Sequence, residues 1–157
     1  SAILLAKGVP RFADVDPYNF CLTKESVKRV ITKRTAAILP VHLFGYFCDL
    51  SGLREFGLPI VEDACQAVGA NREKVYAGTQ GHAGCFSFNG SKNLPSGEGG
   101  CLVTNDDRIA EKARKFINHG ENFGSEEVGV NYRMHELVAV LARHGLRDLD
   151  ERNERRR

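Results

Sequence analysis

The run Ala36-Ala37-Ile38-Leu39-Pro40-Val41 carries no charged or hydroxyl side chain. This is the pattern of a strand buried on both faces of a parallel sheet, not of one with a wet side. His42 follows at its end. The arrangement recurs twice: Leu58-Pro59-Ile60-Val61 stops abruptly at Glu62-Asp63, and Cys85-Phe86-Ser87-Phe88 runs into the small polar loop Asn89-Gly90-Ser91-Lys92-Asn93. Helical spacing lies around these runs. Thr23 is placed to cap a helix to about Lys33 with Val27, Val30 and Ile31 on one face; Asp49 is placed to cap a short one with Leu50, Leu53 and Phe56 inward, ended by Gly57. Strand, helix, strand, helix, strand predicts an α/β fold with a mostly parallel sheet. Ligands in such sheets gather at the carboxyl ends of the strands, so His42, Asp63 and the loop after Phe88 are expected on one rim.

The remaining segments are placed around that frame. Ser1 to Gly8 looks like the last two turns of a helix closed by glycine, and Val9 to Val15 like a short strand with Pro10 near its start. The glycines at 69, 78, 81 and 84 lack dinucleotide-fold spacing and open no helix, which excludes a nicotinamide reading. After Lys92 the loop Leu94-Pro95-Ser96-Gly97-Glu98 is too short for a parallel crossover, so the next strand, Gly99 to Asn105, is expected to run antiparallel to its predecessor. Asn105 or Asp106 then caps a helix whose apolar face is Ile109, Ala113, Phe116 and Ile117, closed by Gly120. Glu121 to Gly129 is a polar loop. In the last helix Leu137, Val140, Leu141, Leu146 and Leu149 hold a rough helical spacing, and Gly145 is an interior weak point costing about 1 kcal/mol relative to Ala.

Composition narrows the partners. With 22 basic and 20 acidic residues in 157, the net charge of +2 is too small and too interspersed for a nucleic-acid or anionic-membrane surface, and the basic end from Arg152 to Arg157 reads as a solvated helix end. The five cysteines are odd in number and lack Cys-x-x-Cys spacing, which argues against zinc and for free thiols in a reducing cytoplasm. No apolar stretch approaches membrane-spanning length. Both ends look cut from a longer protein: no capping residue precedes the first helical turns, and no stop signal follows the last.

Three chemically suggestive residues occur in order: Asp63 ending a buried run, Ser87 inside the next, and Lys92 just after it. Singly each has an ordinary structural use as a turn cap, a backbone partner or a solvated charge. Together they suit pyridoxal phosphate. That cofactor needs a lysine for a Schiff base, an anion beside its pyridine nitrogen, and donors for its phosphate.

Val61-Glu62-Asp63-Ala64-Cys65-Gln66-Ala67, Cys85-Phe86-Ser87-Phe88 with Lys92-Asn93, Gly99-Gly100 with Val103-Thr104-Asn105, and Gly129 to Leu137 closely resemble the DegT/DnrJ/EryC1/StrS family of sugar aminotransferases. Pro40-Val41-His42-Leu43-Phe44-Gly45 resembles the same family's upstream segment. Two positions depart from its pattern: Gly81-His82 stands where relatives carry Gly-Asp, and Gly145 where they carry Gln. The resemblance implies Lys92 as the Schiff-base lysine, Asp63 as partner of the pyridine nitrogen, Gln66 near the phenolic oxygen and Ser87 at the phosphate, with Asn131 reaching the phosphate of a neighbouring subunit in a homodimer. It implies the three-layer α/β/α large domain of PLP-dependent fold type I, the aspartate aminotransferase type, with one antiparallel strand. Residues 1–133 would be part of that domain and 134–157 the start of a helix leading to a smaller C-terminal one. The implied reaction moves an amino group from an amino acid, usually glutamate, to a nucleotide-linked keto-sugar. Two alternatives stand beside it: a PLP-dependent sugar dehydratase on the same fold, and a non-catalytic fragment or regulatory relative.

Overall fold

Residues 2–120 and 128–156 are described by the computed structural model. The chain opens with a short helix, α1 (Ala2–Leu5), then α2 (Lys24–Val30), a 3-10 turn at Leu43–Gly45, and α3 (Ser51–Arg54). Strand β1 (Val61–Asp63), a small hairpin of β2 (Asn71–Arg72) and β3 (Val75–Tyr76), β4 (Ala83–Ser87) and β5 (Gly100–Val103) follow. The C-terminal third holds α4 (Asp107–Ile117), α5 (Glu136–Arg147) and α6 (Leu149–Glu154).

The sheet has the order β1-β4-β5, β1 parallel to β4 and β4 antiparallel to β5, as the short link after Lys92 demands. Pairing Val61 with Ala83 and Asp63 with Cys85 starts the two strands level and lets β4 run two residues further, to Ser87. The run Ala36–Val41 lies parallel beside β1 through bridges Ile38–Ile60 and Val41–Asp63. It is no continuous strand because Pro40 in its middle has no N–H for the ladder; Ile38 and His42 donate on either side, to the carbonyls of Pro59 and Asp63.

Local signals fix several elements. Thr23 and Ser26 form a reciprocal capping box at the start of α2, and Asp106 accepts from the amides of Arg108 and Ile109 at the start of α4. Asp49 accepts from Ser51 N–H just ahead of α3, where Leu50 occupies the cap position itself. Glu73 and Lys74 both adopt positive φ in the two-residue turn of the β2–β3 hairpin, the geometry that matches the twist of paired strands.

Four expectations are corrected. Val9–Val15 forms no strand; only Val15 pairs, in a bridge to Leu22, and Val9 and Phe12 are almost fully exposed, because a strand needs a ladder partner that this segment lacks among the described residues. Helix α2 stops at Val30, since Ile31 is already extended. The carboxylates Glu62 and Asp63 lie within β1, not beyond it. In α5 and α6 the buried face is Ala142, Gly145 and Leu149, while Leu137, Val140, Leu141 and Leu146 face outward: the small residues let the helix approach closely, and an ideal Cβ on Gly145 would lie 2.8 Å from Leu94 Cδ1. The loop expected at Glu121–Gly129 falls largely outside the described residues.

The core is three clusters. One joins α2, α3 and the strand run through Cys21, Val27, Ile38, Cys48, Leu50, Leu53 and Ile60. A second sets Phe88 and Leu94 against Ala142 and Leu149, so the Lys92 loop packs on the C-terminal helices. The third, Ala64, Ala67 and Ala77, underlies the turn after β1. All five cysteines are free. No helix among the described residues is long and apolar enough to cross a membrane.

Candidate active site

Alternation along β1 sends Glu62 and Asp63 to opposite faces of the sheet. Glu62 shares its face with Gly84 and Phe86 and is fully buried, whereas Asp63 shares the other with Cys85 and Ser87, all three half-buried. Burial pushes the Glu62 carboxyl up, but His42 and the amides of Gly81, Gly78 and Gln80 together outweigh it and hold it below the usual carboxylate range. His42, also fully buried, receives the Cys48 amide at Nδ1 (3.1 Å), so its proton sits on Nε2 and is donated to Glu62 at 2.8 Å. His42 is therefore a neutral structural residue, closed off from any substrate. The departure at His82 is structural too: its Nδ1 accepts from Ile60 N–H at 3.1 Å.

On the open face, Asp63 Oδ1 accepts from Cys65 N–H at 3.1 Å, which turns the chain directly after the strand. Among the described residues no lysine or arginine forms an ion pair with Asp63, leaving its charge for another cation. Burial pushes the Cys65 thiol up to about 12, helped by its hydrogen bond to Asp63 and opposed by the nearby positive charge of Lys92. Asp63, Cys65 and Lys92 thus share one neighbourhood. Gln66 follows on the same turn, with Oε1 accepting Phe44 N–H at 2.9 Å; the carboxamide NH2 is left pointing away as a donor. Phe44 presents that amide from a left-handed conformation, φ 56°.

Lys92 is half-buried and sits in a loop pinned at its base and centre. Phe88 N–H donates to Gly99, Ser96 N–H to Phe88, and Gly90 N–H to Gly97, at 2.7–2.8 Å. Asn89 organises the tip: Oδ1 accepts from Ser91 N–H and Oγ, Nδ2 donates to Glu98, and its carbonyl accepts Lys92 N–H. Ser87 Oγ accepts from Asn89 N–H at 3.3 Å, which leaves the hydroxyl hydrogen to donate elsewhere.

Asn131 is the exception. It is exposed, its Oδ1 accepts from Arg133 Nε at 3.2 Å, and its backbone bridges to Asn118 at the end of α4. Among the described residues nothing joins it to β1, β4 or the Lys92 loop. Four of the five expected residues are therefore gathered at the carboxyl ends of β1 and β4, with the fifth apart. The shallow depression lined by Arg54, Leu58, Ile60, Gln80 and His82 lies at the amino end of β1, away from this rim.

An anion, a carboxamide donor, a hydroxyl and a half-buried lysine around one sheet edge suit an aromatic, phosphorylated carbonyl cofactor. Sequence reasoning overlooked Glu62, whose only signal was an acidic residue inside a buried run, and Asn153, hidden in an arginine-rich end. Those arginines are not all solvated: Arg152 Nη1 donates to the Asn93 carbonyl at 3.4 Å, and Arg156 contacts Asn93 Oδ1.

The model of the DegT/DnrJ/EryC1/StrS aminotransferase family matches residues 1–157. A UDP-N-acetyl-3-dehydro-alpha-D-glucosamine 3-aminotransferase of Acidithiobacillus ferrooxidans is 38% identical over 163 residues, covering 99% of this chain and 44% of its own length. Among solved structures, an aminotransferase from Psychrobacter cryohalolentis superposes with a TM-score of 0.90 at 32% identity, covering 96% of this chain and 43% of that one. DesI, solved in the presence of its TDP-sugar product, gives 0.88 at 35%, covering 96% and 40%. The chain thus spans less than half the length of these relatives.

Proposed function

Because this chain belongs to the DegT/DnrJ/EryC1/StrS aminotransferase family, whose members depend on pyridoxal phosphate, we propose that the protein moves an amino group from an amino acid, glutamate in the first instance, to a nucleotide-linked keto-sugar. The observation that carries this reading is the placement of Asp63 and Ser87 on one sheet face beside the Lys92 loop. Relatives named for a UDP-linked amino-sugar reaction and for a TDP-sugar product support the substrate class.

Pyridoxal phosphate, when bound, supplies a carbonyl that condenses with amines and a ring that takes up the electrons released at the neighbouring carbon. The chain's residues do the rest. Lys92 would hold the cofactor, and its amine, on a half-buried loop, would be the group that takes up and returns the proton at the substrate carbon. Asp63 would be the anion that pairs with a protonated ring nitrogen. It is free for that task because Glu62, on the opposite face, bonds the backbone of the Gly78–Gly81 segment. Gln66, its carbonyl oxygen held by Phe44 N–H, would offer its NH2 to the phenolic oxygen. Ser87 would donate to the phosphate, and Asn131 would reach it from the second subunit of a homodimer.

The same proposal includes a fold type I large domain of three layers to which residues 1–133 belong, with 134–157 leading toward a smaller domain. The parallel sheet with its one antiparallel strand supports it. Five free cysteines support a reducing, cytoplasmic setting. Incubating the complete protein with pyridoxal phosphate, glutamate and a panel of keto-sugar nucleotides should yield 2-oxoglutarate and an amino-sugar nucleotide in equal amounts. Loss of a sugar hydroxyl without amino transfer would identify a dehydratase instead, and no turnover of any panel member would contradict both.

A further inference from the structure

We infer that Asn153 is a positioning residue: it ties the Lys92 loop to the turn that carries Asp63 and Gln66. The inference rests on the reading of Lys92 as the cofactor's lysine. Asn153 lies on α6, some sixty residues from the loop, yet it uses both ends of its carboxamide on the site's supports. Nδ2 donates to the Val68 carbonyl at 2.9 Å, two residues beyond Gln66, and Oδ1 accepts from Asn93 Nδ2 at 3.1 Å, one residue beyond Lys92.

The surroundings are shaped for this contact. Gly69 has φ +83°, and a Cβ there would lie 2.6 Å from Asn153 Nδ2, so the turn after β1 accepts this side chain only because residue 69 is glycine. Asn93 is held on its remaining acceptors as well, its carbonyl by Arg152 and its Oδ1 by Arg156. One turn before Asn153, Leu149 is buried against Phe88 and Leu94, which flank the loop on either side. A reactive amine on a loop is placed only as well as its neighbours are fixed, and a misplacement of about 1 Å is enough to matter. Among the described residues, the Asn153 carboxamide bonds both segments at once.

The test uses the complete protein stripped of cofactor, with Asn153→Ala and Asn153→Asp. Two quantities are followed: amide hydrogen exchange in peptides covering residues 66–70 and 89–94, and the rate at which added pyridoxal phosphate becomes fixed to Lys92 by borohydride. For Asn153→Ala, exchange should rise about tenfold in both segments but not in β5 or α2, and fixation should slow by a similar factor, the scale of one lost hydrogen bond. Asn153→Asp keeps the acceptor for Asn93 and loses the donor to Val68, so its faster exchange should be confined to 66–70. Labelling of Lys92 with wild-type exchange and rates in both variants would overturn the positioning role alone. So would loss of the cooperative thermal transition in both, which would make Asn153 a support of the whole fold. An unlabelled Lys92 in the wild-type protein would overturn the reading of that lysine, whatever exchange shows.

Discussion

Glu62 and Asp63 are neighbours in sequence with opposite tasks, and strand alternation alone separates them. Glu62 accepts from His42 and from three backbone amides on the Gly78–Gly81 segment. Glu62→Gln removes the charge that these donors solvate and should destabilise the protein by about 3 kcal/mol, the scale for breaking a buried, hydrogen-bonded charge, measurable by urea unfolding. The pH dependence has a definite sign. The folded carboxyl titrates below its ordinary value of 4.5, so its stabilisation is present in full above that pH and disappears as pH falls through the lower folded value. The wild-type protein should lose stability more steeply than Glu62→Gln below about pH 4.5. Cys65 gives a second check: with its thiol pushed up to about 12, it should stay unalkylated by iodoacetamide at about pH 8 in the native protein, and labelling as fast as a free thiol would contradict the packing around Asp63. Asp63 and Lys92 were legible in the sequence because each ends or follows an apolar run. Glu62 was not, because its partners are backbone amides sixteen to nineteen residues away, which no local pattern reveals.

Among the elements, the antiparallel pairing of β4 and β5 followed from the link between them: the twelve residues between Ser87 and Gly100, broken by Gly90, Pro95 and Gly97, leave no room for a crossover helix. Val9–Val15 shows the opposite case, since β-forming residues stay irregular when nothing pairs with them. Helical spacing was legible in α5, but the choice of buried face was not, because the smallest residues rather than the largest meet Leu94. That reverses a standard expectation for Gly145. Alanine should gain about 1 kcal/mol of helix propensity, yet its Cβ would crowd a Leu94 that is itself fully buried, and overpacking costs about 1–3 kcal/mol. Gly145→Ala should therefore lower the thermal midpoint or leave it unchanged; a clear rise would show that α5 does not press on the Lys92 loop as described. At the start of α2, Thr23→Ala removes one half of the capping box and should cost about 1 kcal/mol in chemical denaturation.

At the scale of the molecule, the chain spans 44% of the length of its A. ferrooxidans relative, and several large apolar side chains, among them Phe12, Leu137, Val140 and Val128, are exposed. The candidate site residues lie at the carboxyl ends of β1 and β4, between the turn after Asp63 and the Lys92 loop, with Asn131 standing apart from them. In the proposed function the cofactor attaches at Lys92, a chemical and local assignment. Treating the complete protein with pyridoxal phosphate and then borohydride, followed by digestion and mass spectrometry, tests it directly. A reduced pyridoxyl group is expected on Lys92, and no visible cofactor absorbance in Lys92→Ala. Attachment at any other lysine, or none at saturating cofactor, would contradict it.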